Sequence, residues 1–287
     1  MEENNEINFF EILEIIWNEK FKILLVSFSL GSILFVYSLF LQDVYISETK
    51  LKVVNDDMSR QLEASNLGIF NFFQQGNQQS GFIEDHVKSR DFFKIVSQNT
   101  NLIIPLLELE DVEGLTEEQI KSLLYSQSIK EKYKDDLLKV NFLSQHSAFS
   151  SSFEIDTSKG PFIIRSFHKN PFMTKVILDV IVEETNAYFK QRDDKESKDA
   201  IDFISRELPK NQIIDIQETL SNVLSAKLRT LVLSNIKTDY VLEYIDSPYV
   251  PISANLPDRR LYFLSGMIIG LILSIFWVLT RKFLLKG

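Results

Sequence analysis

Two long runs without a charged residue constrain this chain more than any other feature. Residues 261–280, LYFLSGMIIGLILSIFWVLT, hold twenty uncharged positions, with Arg259 and Arg260 before them and Arg281, Lys282 and Lys286 after. At about 1.5 Å per residue, a helix of that length crosses the roughly 30 Å hydrocarbon layer of a bilayer. Residues 23–41 form a second uncharged run of nineteen residues. It does not read as a cleaved leader. Six glutamates lie in the twenty-two residues before it, and no small-x-small site follows at Phe40, Leu41 and Gln42. An uncleaved anchor and a second span put both ends of the chain on one side of the membrane. The expected organisation is a tail over 1–22, a span over 23–41, a large domain over 42–260, a span over 261–280 and a tail over 281–287.

Charge bears on the sidedness. Lys20, Lys22, Arg281, Lys282 and Lys286 flank the spans on the tail side, against Lys50, Lys52, Arg259 and Arg260 on the domain side. That five-to-four excess, with short tails, favours cytoplasmic termini and a periplasmic domain. The tails carry about −4 and +3 of the net −9, which leaves the domain at about −8. A domain that acidic argues against contact with nucleic acid or anionic lipid over a broad face. The absence of cysteine suits an oxidising compartment. Seven residues after the second span leave no room for an output domain there, which disfavours a sensor.

In chain order, Ile7, Phe10, Leu13, Ile16 and Trp17 recur at helical spacing, as an interfacial helix or an extension of the first span. Leu51 and Val53 alternate with Lys50 and Lys52, which reads as a strand over 45–54 with one solvated face. Residues 55–82 are glutamine-rich, and their apolar centre at 67–73 suits a flap or an oligomer contact. A helix is expected over 83–97, and Thr116 to Gln119 carries a capping-box signature. The alternation of Leu138, Val140 and Phe142, of Phe153 and Ile155, and then residues 162–167, reads as antiparallel strands. Asn170 suits an N-cap and Pro171 the first position of a helix running to about Leu208. Its middle, residues 190–199, contains no apolar side chain. Such a stretch projects away from the sheet or pairs its charges with a neighbour. After Pro209, Ile213, Ile216, Leu220, Leu224, Leu228 and Leu231 mark a helix folding back, and residues 240–245 a strand returning. The fold class expected is α+β: two transmembrane helices flanking a domain with a mixed sheet base and a long helical hairpin arm at about 171–236.

The approach to the second span is punctuated by Pro248, Pro251 and Pro257. Inside that span Gly266 and Gly270 form a GxxxG, which permits close approach of another membrane helix. The expected partner is the first span through Gly31 and Ser32, or a neighbouring protomer.

These parts together resemble the Wzz-type chain length determinants, polysaccharide co-polymerases of bacterial surface-glycan assembly. The likeness is carried by the helix through Trp17, the first span, Val44-Tyr45 and the strand ending Lys50-Leu51-Lys52-Val53. Val87-Lys88-Ser89-Arg90 resembles the family's Ser-Arg at a helix start, and His168 with Pro171 its His-x-x-Pro. Residues 239–246 lead into Pro248, Pro251, Pro257 and a span with two glycines, the most specific part of the match. The run 55–82 departs from the pattern, and no kinase domain follows the second span. The resemblance implies a ring-like homo-oligomer in the inner membrane that works with the membrane polysaccharide polymerase on a lipid-linked glycan. It would set the chain length of lipopolysaccharide O-antigen. The alternative is an adaptor in a capsule or exopolysaccharide export complex. Lys190, Arg192, Asp193, Asp194, Lys195 and Glu196 are candidates for contact between protomers.

Chemistry is not expected. His86, His146 and His168 lack metal-ligand spacing, and no zinc-protease, nucleophile-elbow, phosphate-loop or dinucleotide motif occurs. No catalytic residue, metal or cofactor is expected. Tyr240, Tyr244 and Tyr249 read as packing and interfacial tyrosines.

Overall fold

A computed structural model describes residues 9–54, 76–158, 160–210, 213–236 and 239–286. The apolar stretch 67–73 and most of the glutamine-rich run lie outside the described residues. The chain divides into two compact units, Met1–Val44 with Ser253–Gly287, and Tyr45–Ile252.

In chain order the elements begin with α1 (Phe9–Asn18), α2 (Lys20–Leu39) and β1 (Tyr45–Val53). Two helices, α3 (Gly76–Val87) and α4 (Arg90–Asn99), stand where one was expected over 83–97. The break is at Ser89, which is extended and accepts the Phe92 N–H on its hydroxyl, so a new helix starts there. After α5 (Ile103–Leu106), the Thr116–Gln119 capping box opens α6 (Glu117–Leu124).

Residues around Leu138, Val140 and Phe142 are not a strand. After α7 (Gln127–Lys132), Leu138 lies in α8 (Lys134–Lys139), Val140 in the bend that follows, and Phe142 opens α9 (Phe142–Ser151). Leu138 and Phe142 are both exposed, so their alternation selects no buried face. Asn141 instead caps α9 by accepting the Leu143 N–H.

The remaining elements are β2 (Phe153–Asp156), β3 (Phe162–His168), α10 (Pro171–Glu207), a 3₁₀ turn at Leu208–Lys210, α11 (Ile214–Ile236), β4 (Leu242–Asp246) and α12 (Arg259–Lys286). The four strands lie in the order β2-β3-β1-β4, and every neighbouring pair is antiparallel. The sheet is therefore not mixed. The α10–α11 hairpin carries the chain from β3 to β4, and β4 lands beyond β1. The two strands that run the same way are thus kept apart by the strand that opposes both.

The first half of α10 lies across the sheet. Val176, Ile177, Val180 and Ile181 are buried in one core with Leu51, Ile164 and Leu242. Burying an aliphatic side chain of this size contributes roughly 1.5–3 kcal/mol. Beyond Phe189 only Ser197 and Ile204 of α10 are buried among the described residues. The helix is therefore held by its sheet-side half, and the later half depends on α11.

Candidate functional site: paired spans, exit segment and polar arm

The two apolar helices present matching rows of small residues. On α2, Ile23, Ser27, Gly31 and Ser38 are buried. On α12, Gly266, Gly270, Ser274 and Val278 are buried at every fourth position. Residues four apart share a helix face, so each row is a continuous seam. The seams run antiparallel. A Cβ built on Gly266 would stand 2.8 Å from the Gly31 Cα, and one on Gly270 2.8 Å from the Ser27 Cα. Ser27 Oγ donates to the Met267 carbonyl at 2.6 Å, a polar tie between the helices. Phe263 meets Phe28 edge-on at 5.7 Å and Phe35 at 6.5 Å. Opposite Gly270 stands Ser27 and not Ser32, because Ser27 and Gly31 share a face and Ser32 lies beside it.

At one end of the pair, Ile15, Ile23 and Val278 pack together. Beyond them stand Lys20, Lys22, Arg281 and Lys282. Lys22 pairs with Glu19 at 2.7 Å. That bond holds the Glu19 carboxyl below its ordinary range, aided by the charges of Lys282 and Arg281. At the other end, Arg259 pairs with Asp43 at 3.0 Å. Val44 and Leu256 exchange backbone hydrogen bonds of 2.9 and 3.1 Å, and Pro257 is half-buried.

In the other unit, the segment leading out of β4 is stitched to β1 by side chains. Thr49 Oγ1 donates to the Asp246 carbonyl at 2.7 Å, and Ser47 Oγ to the Tyr249 carbonyl at 2.6 Å. Both hydroxyl residues are fully buried, and Pro248 and Pro251 are buried. A proline has no N–H to satisfy, so the segment loses little by being covered without a strand partner.

The run of α10 without apolar side chains meets α11 and the approach to β4 within the same chain. Tyr240 Oη donates to Asp193 at 2.8 Å, and Arg192 pairs with Asp193 at 2.8 Å while lying over the Phe189 ring. Ser234 Oγ donates to Asp194. Lys227 pairs with Glu196 at 2.6 Å and holds that carboxyl below its usual range. Burial, with Asp193 beside it, pushes the Tyr240 hydroxyl well above the ordinary value. Lys190 and Lys195 have no acidic partner among the described residues.

Two asparagines fasten α10, one of them invisible to the periodicity argument. Asn170 Oδ1 accepts the Phe172 and Met173 N–H groups, and its Nδ2 donates to the carbonyls of Val112 and Leu115. Asn186, buried, accepts the Val241 and Leu242 N–H groups at 2.8 Å each and donates to the Leu242 carbonyl at 2.9 Å. Its signal in the sequence is a single amide among Ile181, Val182, Thr185 and Phe189. His168 accepts the Asn170 N–H on Nδ1, and burial lowers its pKa to about 4. Its ring is thus a neutral structural group at the strand end. His86 stacks on Tyr188 at 4.1 Å, and burial lowers its pKa as well. No group of three metal-binding side chains converges among the described residues.

The fold thus defines a class: an α+β domain with a long helical hairpin, carried between two helices long and apolar enough to cross a membrane. Residues 5–137, a little under half of the chain, match the profile of the family described as Wzz, chain length determinant protein. No curated protein matches the chain. Among solved structures, it is similar to a full-length bacterial polysaccharide co-polymerase at 10% identity and a TM-score of 0.39, over 97% of this chain and 99% of that one. It is also similar to a fragment of WzzB, a polysaccharide co-polymerase from Salmonella Typhimurium, at 13% identity and a TM-score of 0.33, over 75% of this chain and all of that one.

Proposed function

We propose that this protein is a polysaccharide co-polymerase that sets the chain length of lipopolysaccharide O-antigen, as a ring-like homo-oligomer acting with the membrane polysaccharide polymerase on a lipid-linked glycan. Its termini lie in the cytoplasm and residues 42–260 in the periplasm of a bacterial inner-membrane protein. The match of residues 5–137 to the chain length determinant family carries this reading. The seam of Gly266 and Gly270 against Gly31 and Ser27 supports it, because it packs the two apolar helices closely against each other. Contact between protomers involves the arm at Lys190 and Lys195, beside Arg192, Asp193, Asp194 and Glu196, which already have partners in their own chain. Deletion of the gene, followed by a gel of surface glycan, tests the proposal. Loss of a clustered size distribution is expected. Loss of all surface polymer would instead indicate an export adaptor.

A further inference from the structure

The two ends of the span pair treat charge differently. Where α12 begins, Arg259 pairs with Asp43 at 3.0 Å, while Arg260 beside it has no carboxylate partner among the described residues. At the opposite end, of Lys20, Lys22, Arg281 and Lys282, only Lys22 has a carboxylate partner among the described residues, Glu19 at 2.7 Å. Lys20 and Arg281 lie instead over the rings of Trp17 and Trp277, at 4.1 and 5.4 Å. Both indoles are more than half exposed, at 68% and 53%.

A cation over an indole keeps donors directed away from the ring, and its charge is not cancelled. Tryptophan in a membrane protein settles at the level of the headgroups. Lys20 and Arg281 therefore stand at headgroup depth with Lys282 next in the chain, and Glu19, whose charge Lys282 and Arg281 also feel, is already paired with Lys22. The cations are held there by the seam, since Ile15, Ile23 and Val278 pack in one cluster on the same end. We infer that this end of the span pair binds the phosphate of an anionic phospholipid, with Lys20, Arg281 and Lys282 as the donors. Arginine supplies a planar fork suited to two phosphate oxygens, and the lysines supply point charges. The inference rests on the two helices spanning a bilayer and not on the control of glycan length.

The test uses the full-length protein in detergent, with phosphatidylglycerol or phosphatidylcholine of the same acyl chains added and retained lipid read by native mass spectrometry. The wild type is expected to retain phosphatidylglycerol in preference. Each cation removed should weaken that binding about fivefold, the equivalent of about 1 kcal/mol. Lys20→Gln with Arg281→Gln and Lys282→Gln should therefore abolish the preference, and Lys282→Gln alone should reduce it about fivefold. Arg259→Gln, at the other end, should leave it unchanged. Equal retention of the two lipids by the wild type would overturn the inference, as would an undiminished preference in the single and triple variants. Displacement of phosphatidylglycerol by millimolar inorganic phosphate would assign the site to a soluble phosphate and overturn the lipid.

Discussion

Gly266 and Gly31 meet so closely that a single added carbon on Gly266 would lie 2.8 Å from the Gly31 Cα. Four residues on, Gly270 stands in the same relation to Ser27. Apolar burial cannot drive helix association within lipid, so close packing and the Ser27–Met267 hydrogen bond must hold the spans together.

Separation of the spans by bulk is the first expectation. The chain has no cysteine, so spin labels at Leu13→Cys and Thr280→Cys report the distance between α1 and the end of α12 without background. Adding Gly266→Leu and Gly270→Leu should lengthen and broaden that distance. An unchanged distribution would mean the seam yields without cost.

Ser27→Ala removes one interhelical hydrogen bond while keeping a small side chain. Such bonds within membranes contribute roughly 0.5–2 kcal/mol. The same spin-label pair should show modest broadening, clearly less than the double leucine variant. A larger effect than that variant would assign the seam to the hydroxyl and not to the glycines.

Asn186→Leu should destabilise the domain by roughly 2–3 kcal/mol, because the Val241 and Leu242 amides lose their acceptor in a buried place. Urea unfolding of the full-length protein, followed by circular dichroism, measures this. A loss below about 0.5 kcal/mol would show that β4 is held by its ladder to β1 alone.

Stability should also depend on His168. Its folded pKa of about 4 lies below the ordinary 6.5, so the unfolded chain binds the extra proton between those values. The contribution is fully present above pH 6.5 and is lost as pH falls toward 4, by at most about 1.4 kcal/mol per unit. Asp179 and Glu184, raised by burial, act in the opposite sense. The difference between wild type and His168→Gln isolates the histidine. Melting temperatures should converge as pH drops from 6.5 to 5, and parallel curves would exclude this role.

Much of this architecture was legible because two signals are strong in one sequence. Charge-free runs locate the spans, and Asn170-Pro171 fixes the start of α10 to the residue. The GxxxG pointed to a close approach, yet its partner needed the face shared by Ser27 and Gly31, which spacing on α12 cannot reveal. The region around Leu138, Val140 and Phe142 misled because three alternating residues satisfy a strand period without any burial behind it. For the run 190–199 the sequence left open whether its charges project away or pair with a neighbour, since Lys227, Ser234 and Tyr240, the partners of Glu196, Asp194 and Asp193, arrive from more than thirty residues away. Asn186 was missed for the same reason: what it binds lies 55 and 56 residues on.

The glycan ladder tests the central claim most directly. A deletion strain would be complemented with wild-type protein or with the Gly266→Leu, Gly270→Leu variant, at matched membrane levels. The account predicts that wild type restores a clustered O-antigen length and that the variant shifts or broadens the cluster while polymer is still made. Identical ladders from the deletion strain and the strain carrying wild-type protein would contradict it.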